Sequence, residues 1–369
     1  MTPAPDLPTF SARLIRWQKL HGRRNLPWQG VRDPYAIWLS EVMLQQTQVG
    51  TVIPYYLRFL ERFPDVASLA ATGIDEVLAL WSGLGYYSRG RNLHRAAQVV
   101  ATDHSGVFPR SAEALQQLPG IGRSTAAAIA AFAYGERRAI LDGNVKRVLA
   151  RHLGLEGYPG EKGNEALLWR QAEALLPADA GPEAMAVYTQ ALMDLGATVC
   201  TRARPRCAAC PLRQDCMALR EERVAQIPAP RPRRALPERE TAMLMLRMQD
   251  KVLLRKRPAT GIWGGLWCFP EMPVDGDAAA YCIRHFGLEV SPLGHMGQGA
   301  PLDHVFTHFK LRIHPQPLRV VSAPPAAMRD EARWMTLDDA LAAAIPAPAR
   351  TLLLRLGPPG RAQAEQSHG

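Results

Sequence analysis

Residues 118–133 read LPGIGRSTAAAIAAFA, a glycine-bearing turn followed by a run rich in alanine. Gly120 and Gly122 let the backbone reverse tightly and approach another surface closely. The run after Gly122 has helical spacing, so the amide N–H groups of its first turn, with the helix dipole, make an anion site that needs no side chain. Alone, such a turn is equally an ordinary connection between helices.

Working outward, apolar residues recur at three- and four-residue spacing from Phe10 to about Ala225, with Gly or Pro between segments. Residues 1–225 are therefore expected to be an all-α domain. Residues 226–240, QIPAPRPRRALPERE, carry Pro and Arg without an apolar period and are expected to be a linker. Beyond it, TAMLMLRM and KVLLRKRP flank Gln249-Asp250 as a hairpin. FKLRIHP reads as a further strand, and residues 277–287 and 336–344 read as helices. The second domain, 241–356, is thus expected to be α+β, and the polar, Gly/Pro-rich residues 357–369 a frayed tail. No internal repeat is visible.

A length of 369 residues suits two domains, and no apolar run approaches the roughly 20 residues that span a bilayer. The start MTPAPDLPTFSARLIRW lacks a basic segment followed by an apolar one, so a cytoplasmic protein is expected. A formal net charge of +10 favours a polyanionic partner, because each Lys or Arg laid on a phosphate releases condensed counterions.

Four of the six cysteines stand as Cys200-x6-Cys207-x2-Cys210-x5-Cys216. Without a secretory signal, such crowding points to a metal centre over disulfides, and the spacing departs from the paired CxxC of many zinc sites. Arg202, Arg204 and Arg206 lie between the first two cysteines, where a rigid loop would meet a phosphate backbone; a solvated charged loop is the alternative. Cys268 and Cys282 sit among apolar neighbours and read as core.

Two carboxylates stand in contrasting contexts. Asp33-Pro34 opens a helix expected to run on through YAIWLSEVMLQQTQV, and Glu41 has Ile37, Trp38 and Leu44 three or four residues away. Desolvation there favours the protonated form, as a general acid requires. Asp142, before GNVKRVLARHL, is expected at a helix N-terminus, where backbone donors and the dipole favour its anion. The two pKa values are thus expected to be pushed apart. The bland alternative is a half-buried helix residue and a simple cap.

DPYAIWLSEVMLQQTQV, GLGYYSRGRNLH, LPGIGRSTAAAIAAFAYG and LDGNVKRVLAR together resemble the adenine DNA glycosylases over nearly the whole first domain. LPGIG then resembles the second half of a helix-hairpin-helix, with Leu118, Gly120 and Gly122 implied in duplex binding. The cysteine spacing resembles the endonuclease III superfamily, which implies that all four ligate a [4Fe-4S] cluster, with zinc as the alternative. The resemblance implies that Glu41 protonates adenine N7 and later activates water. Asp142, supported by Asn144, would steady the oxocarbenium-like sugar or attack it. Ser124 stands where bifunctional relatives carry a lysine, and a serine forms no Schiff base, which implies hydrolysis without an efficient lyase step. Lys146, close in sequence, could still give an adventitious imine.

Excision requires extruding the nucleotide. The resemblance puts Gln45 and Gln46 near the opposite base, makes Tyr86 an intercalating wedge, sets Gln190 against the extruded adenine and puts Trp38 in the pocket wall; Tyr87 reads as core. GIWGGLWCFP and ARWMTLDDALAAAIPAPARTLL resemble the Nudix-related domain of the same enzymes. The glutamate cluster that holds magnesium in a working Nudix hydrolase is missing, so pyrophosphate hydrolysis is not expected. Phe306-Thr307-His308 matches a loop that recognises 8-oxoguanine in the family, a plain turn being the alternative. The implied architecture is an all-α helix-hairpin-helix glycosylase domain with an iron-sulfur cluster, joined to an α+β Nudix-like domain. The implied partner is double-stranded DNA with an A:8-oxoguanine or A:G mispair, bound by a monomer with no membrane association. The competing readings are a bifunctional pyrimidine-lesion glycosylase/lyase and a non-catalytic lesion-binding iron-sulfur protein.

Overall fold

The computed structural model describes residues 8–178, 181–232, 235–293, 299–322 and 331–356. The expected tail, 357–369, lies outside the described residues. Contacts divide the chain into two units, Met1–Ala71 with Asn92–Arg233, and Thr72–Arg91 with Arg234–Gly369.

The first unit is helical. Its helix Pro34–Leu44 is capped by Asp33, whose carboxylate accepts the N–H groups of Tyr35 and Ala36. Tyr35, Ile37, Trp38, Leu39, Val42 and Met43 are all buried, so apolar residues surround this helix on every side. The expected continuation through QQTQV does not form. The helix ends at Leu44, and Gln46 turns the chain with φ +60° before the next helix, Val49–Arg62.

Helix Arg123–Tyr134 buries Ala126 to Ala131 without interruption. Small side chains let neighbouring helices approach closely, and a core of Phe10, Leu14, Ala128, Leu141, Val148, Tyr188 and Leu192 forms around it. Each fully buried Leu contributes about 1.5–3 kcal/mol. Helices Gly143–Leu153 and Pro182–Asp194 pack on the same core, which also takes in Cys200, Cys210 and Cys216 at its edge. Ile227, within the expected linker, is 3 % exposed and belongs to this core.

The second unit is built on an eight-stranded sheet of β1 (Glu238–Met248), β2 (Lys251–Lys256), β3 (Trp267–Cys268), β4 (Glu271–Met272), β5 (Glu289–Pro292), β6 (Leu302–Val305), β7 (Lys310–Ser322) and β8 (Ala332–Thr336). The order is β3-β2-β1-β7-β5, with β4 on β1, β6 on β7 and β8 on β2. The hairpin forms as read, Met248 opposite Lys251 across Gln249-Asp250. The pair β1–β7 is parallel from Glu238↔Lys310 to Arg247↔Arg319. β1 is buried on both faces, which is why it reads as a continuous apolar run. Met243 and Met245 meet Phe309, Ile313 and the helix Ala347–Leu356 on one face. Ala242, Leu244 and Leu246 meet Cys282 of the helix Ala278–Phe286 on the other.

The expected boundaries shift accordingly. β1 starts inside the stretch read as linker, and Thr72–Arg91 groups with the second unit, Leu78 lying in its core and the Tyr87 hydroxyl donating to the Ile345 carbonyl at 2.8 Å. Cys268 and Cys282 are 1 % and 0 % exposed, core residues whose thiols burial pushes up to about 12 and about 11.

Candidate active site

Within the first unit an open cleft of about 1500 Å³ is lined by Glu41, Gln45, Gln46, Ser124, Asp142, Asn144 and Gln190. Glu41 is the single acid on a helix that is otherwise wrapped in protein, and only its cleft side is open. Burial, with the negative charge of Asp142 second, pushes its pKa up to about 8.

Asp142 caps helix Gly143–Leu153, its Oδ1 accepting the Val145 N–H at 2.7 Å. The expectation of a carboxylate held in its anionic form needs correction. Burial raises Asp142 above its ordinary value, and the N–H groups of Val145 and Asn144 with the charges of Arg147 and Lys146 oppose that rise without cancelling it. The pair is therefore raised together, not driven in opposite directions. The helix terminus was readable in the sequence; the depth of burial was not.

Asn144 supports Asp142 through its backbone N–H, while its side-chain oxygen accepts from Arg147 Nη2 at 2.8 Å. Arg147 also donates to the carbonyls of Gly196 at 2.7 Å and Cys200 at 2.8 Å. Sequence reasoning missed this residue, although its place three residues after Asn144 on one helix face was available. Ser124 Oγ accepts the Leu141 N–H at 2.9 Å, tying helix Arg123–Tyr134 to the residue before Asp142. Lys146 Nζ pairs with Glu165 at 2.6 Å and is not among the residues lining the cleft. Gln45 Nε2 donates to Thr125 Oγ1 at 3.3 Å, and Gln46 is exposed.

Trp38, Leu118 and Gly120 stand apart from the cleft, whereas Gly122 lines it. Trp38 is 0 % exposed and packs on Tyr35 and Phe108, so it is core and not wall. Leu118 is likewise buried, so its side chain anchors the hairpin and presents nothing to a duplex. Gly120 supplies the turn at φ +78°, where a Cβ would lie 2.7 Å from Asn92 Cβ. Gly122 caps the following helix with no side chain, leaving its first-turn N–H groups to other acceptors.

Tyr86 belongs to the second unit, exposed at 48 % and held at φ +47°. Phe306, Thr307 and His308 form the loop between β6 and β7. Phe306 stacks on Phe309 at 4.5 Å, and Thr307 and His308 are exposed with Thr307 Oγ1 3.4 Å from His308 Nδ1. Helix Ala278–Phe286 carries no acidic residue.

Cys200, Cys207, Cys210 and Cys216 are free and half-buried. Burial raises Cys210 to about 12, and the charges of the other three cysteines add to the rise; Cys216 responds in the same way to Cys200 and Cys207. Among the described residues no three His, Cys, Asp or Glu side chains gather around a single-ion position. The first thiol has a fixed neighbour, since Arg151, 3 % exposed, places Nη1 3.4 Å from Cys200 Sγ while donating to the carbonyls of Thr201, Arg202 and Ile227. Arg202, Arg204 and Arg206 are exposed on the loop this clamps.

Residues 39–174 match the model of the HhH-GPD superfamily of base excision DNA repair proteins, and residues 241–355 match the NUDIX domain. The adenine DNA glycosylase of Buchnera aphidicola subsp. Baizongia pistaciae (strain Bp) is 33% identical over 94% of this chain and 96% of its own length. That of Buchnera aphidicola subsp. Schizaphis graminum (strain Sg) is 38% identical over 83% of this chain and 86% of its own. A solved thermostable thymine-DNA glycosylase, 28% identical, superposes with a TM-score of 0.50 over 57% of this chain and 95% of that one. With a helical cleft lined by two half-buried carboxyl groups and relatives this similar along nearly their whole length, the chain belongs to the adenine DNA glycosylases.

Proposed function

We propose that the chain hydrolyses the N-glycosidic bond of adenine mispaired with 8-oxoguanine, and less well with guanine, in duplex DNA, and that it does so as a monofunctional glycosylase. The observation that carries this reading is a carboxyl group with a pKa near 8 facing the same cleft as a second carboxyl capped by a helix. At neutral pH Glu41 holds a proton that it can deliver to N7 of an extruded adenine, which makes the base a leaving group. Its carboxylate then takes a proton from water. The ionised form of Asp142, aided by the Val145 and Asn144 N–H groups, stabilises the positive charge that develops on the sugar. A serine at position 124 provides no amine for strand cleavage.

The cofactor of this reading is a [4Fe-4S] cluster on Cys200, Cys207, Cys210 and Cys216. What supports it is four unpaired, half-buried cysteines at this spacing, with the charges of Cys200, Cys216 and Cys207 all bearing on Cys210. When bound, it would hold the arginine loop rigid against a phosphate backbone. Gly120 and Gly122 offer backbone N–H groups to phosphate, Tyr86 fills the vacated stack, and Thr307 and His308 read the 8-oxoguanine edge. The protein acts as a monomer in the cytoplasm; no helix among the described residues is long and apolar enough to cross a membrane.

Duplexes carrying one A:8-oxoguanine pair, incubated with the protein and scored with and without alkali, test the proposal. Alkali-dependent breaks at the adenine are expected. Breaks without alkali would indicate a lyase, and absence of breaks with retained binding would indicate a lesion-binding protein.

A further inference from the structure

Helix Pro182–Asp194 ends in a carboxylate with 0 % exposure. Asp194 Oδ2 accepts from Gln18 Nε2 and from the Arg23 backbone N–H, each at 2.9 Å. Its Oδ1 accepts from Arg23 Nε at 2.8 Å, from Arg23 Nη2 at 2.6 Å and from Gln190 Nε2 at 2.9 Å. Gln190 lies one turn earlier on the same helix, and both Gln190 and Arg23 line the cleft that holds Glu41 and Asp142.

An amide side chain can present either end by rotating through half a turn, donor or acceptor as the ligand requires. Here that freedom is removed. Both oxygens of Asp194 accept from other donors, so the end of Gln190 facing it is the NH2 group, and the carbonyl oxygen is the end turned away. Rotation would set two acceptor oxygens against each other at a buried site and leave Asp194 short of a donor, which is costly. Arg23 presents only donors to Asp194, through its backbone N–H, Nε and Nη2, so the direction of the Gln190 bond is kept.

We propose that Asp194 is a positioning residue for base selection: it locks the Gln190 amide so that the cleft presents a hydrogen-bond acceptor, favouring a purine with an exocyclic amine over one with a carbonyl at that place. This rests on the reading that an extruded purine occupies the cleft. A site built around a fixed hydrogen-bond direction rejects the wrong analogue because a buried polar group is then left unpaired.

The test compares single-turnover release of adenine and hypoxanthine from matched duplexes, using the full-length, cluster-loaded protein. Asp194→Ala removes both acceptor oxygens, so Gln190 regains both orientations, and the preference for adenine over hypoxanthine is expected to fall by about ten-fold or more. Equal slowing for both bases in folded Asp194→Ala would overturn the proposal. Should Asp194→Ala not fold, Gln190→Met leaves the Asp194–Arg23 pair in place and removes the acceptor; an undiminished preference in that variant is equally fatal. No release of adenine by the unaltered protein would overturn the glycosylase reading itself, and this inference with it.

Discussion

Glu41 is destabilising at the pH where it is useful. Below about pH 4.5 both the folded and unfolded chains hold its proton, and nothing is lost. Between 4.5 and about 8 the unfolded chain releases the proton and the folded one keeps it, so stability falls as pH rises and levels off above 8. Glu41→Gln is therefore expected to abolish excision, keep duplex binding, and raise Tm near pH 8 by about 2–4 °C per kcal/mol recovered. Calorimetry from pH 4.5 to 8.5 checks the origin of the gain, which should vanish at the acid end; a gain independent of pH would mean that ionisation is not its source. The excision rate of the unaltered protein should decline as pH passes through about 8. Asp142→Asn separates charge from capping, since an amide oxygen still accepts the Val145 N–H. Its Tm should stay nearly unchanged while excision drops by about 10²–10³-fold, measured under single-turnover conditions; a comparable loss of stability would make Asp142 a cap only.

Between elements, Gly196 lies so close to helix Gly143–Leu153 that a Cβ would fall 2.6 Å from Asn144 Cβ. Gly196→Ala should cost about 1–3 kcal/mol of stability and slow excision through displacement of the Asp142 cap, while duplex binding persists. Denaturant unfolding and a filter-binding assay distinguish these effects. The same scale explains what was legible. The caps at Asp33 and Asp142, the hairpin at Gln249-Asp250 and the helix after Gly122 all arise from neighbours in sequence, and they form where they were read. The stop at Leu44, the burial of Leu118 and Trp38, the rise in the Asp142 pKa and the parallel pairing of β1 with β7 depend on distant residues, and no local pattern encodes them. The Asp194 hub lay in between: the i, i+4 relation to Gln190 was visible, but its partners Gln18 and Arg23 come from the far end of the unit's sequence.

For the whole molecule, the proposed function gives recognition of the opposite base to the loop between β6 and β7. Thr307→Ala with His308→Ala is expected to reduce the preference for A:8-oxoguanine over A:G by about ten-fold, with excision from A:G little altered. Side-by-side rates on the two duplexes check this; an unchanged ratio would return the loop to the status of a turn. The apolar run of β1 is covered on both sides, and its partner β7 is made late. Thr72–Arg91, whose Leu78 is 1 % exposed, groups with strands that begin at Glu238. During synthesis this segment leaves the ribosome long before those strands exist. It must wait with an apolar side uncovered, and chains that stop short of β7 would display that side permanently, an invitation to chaperones and proteases.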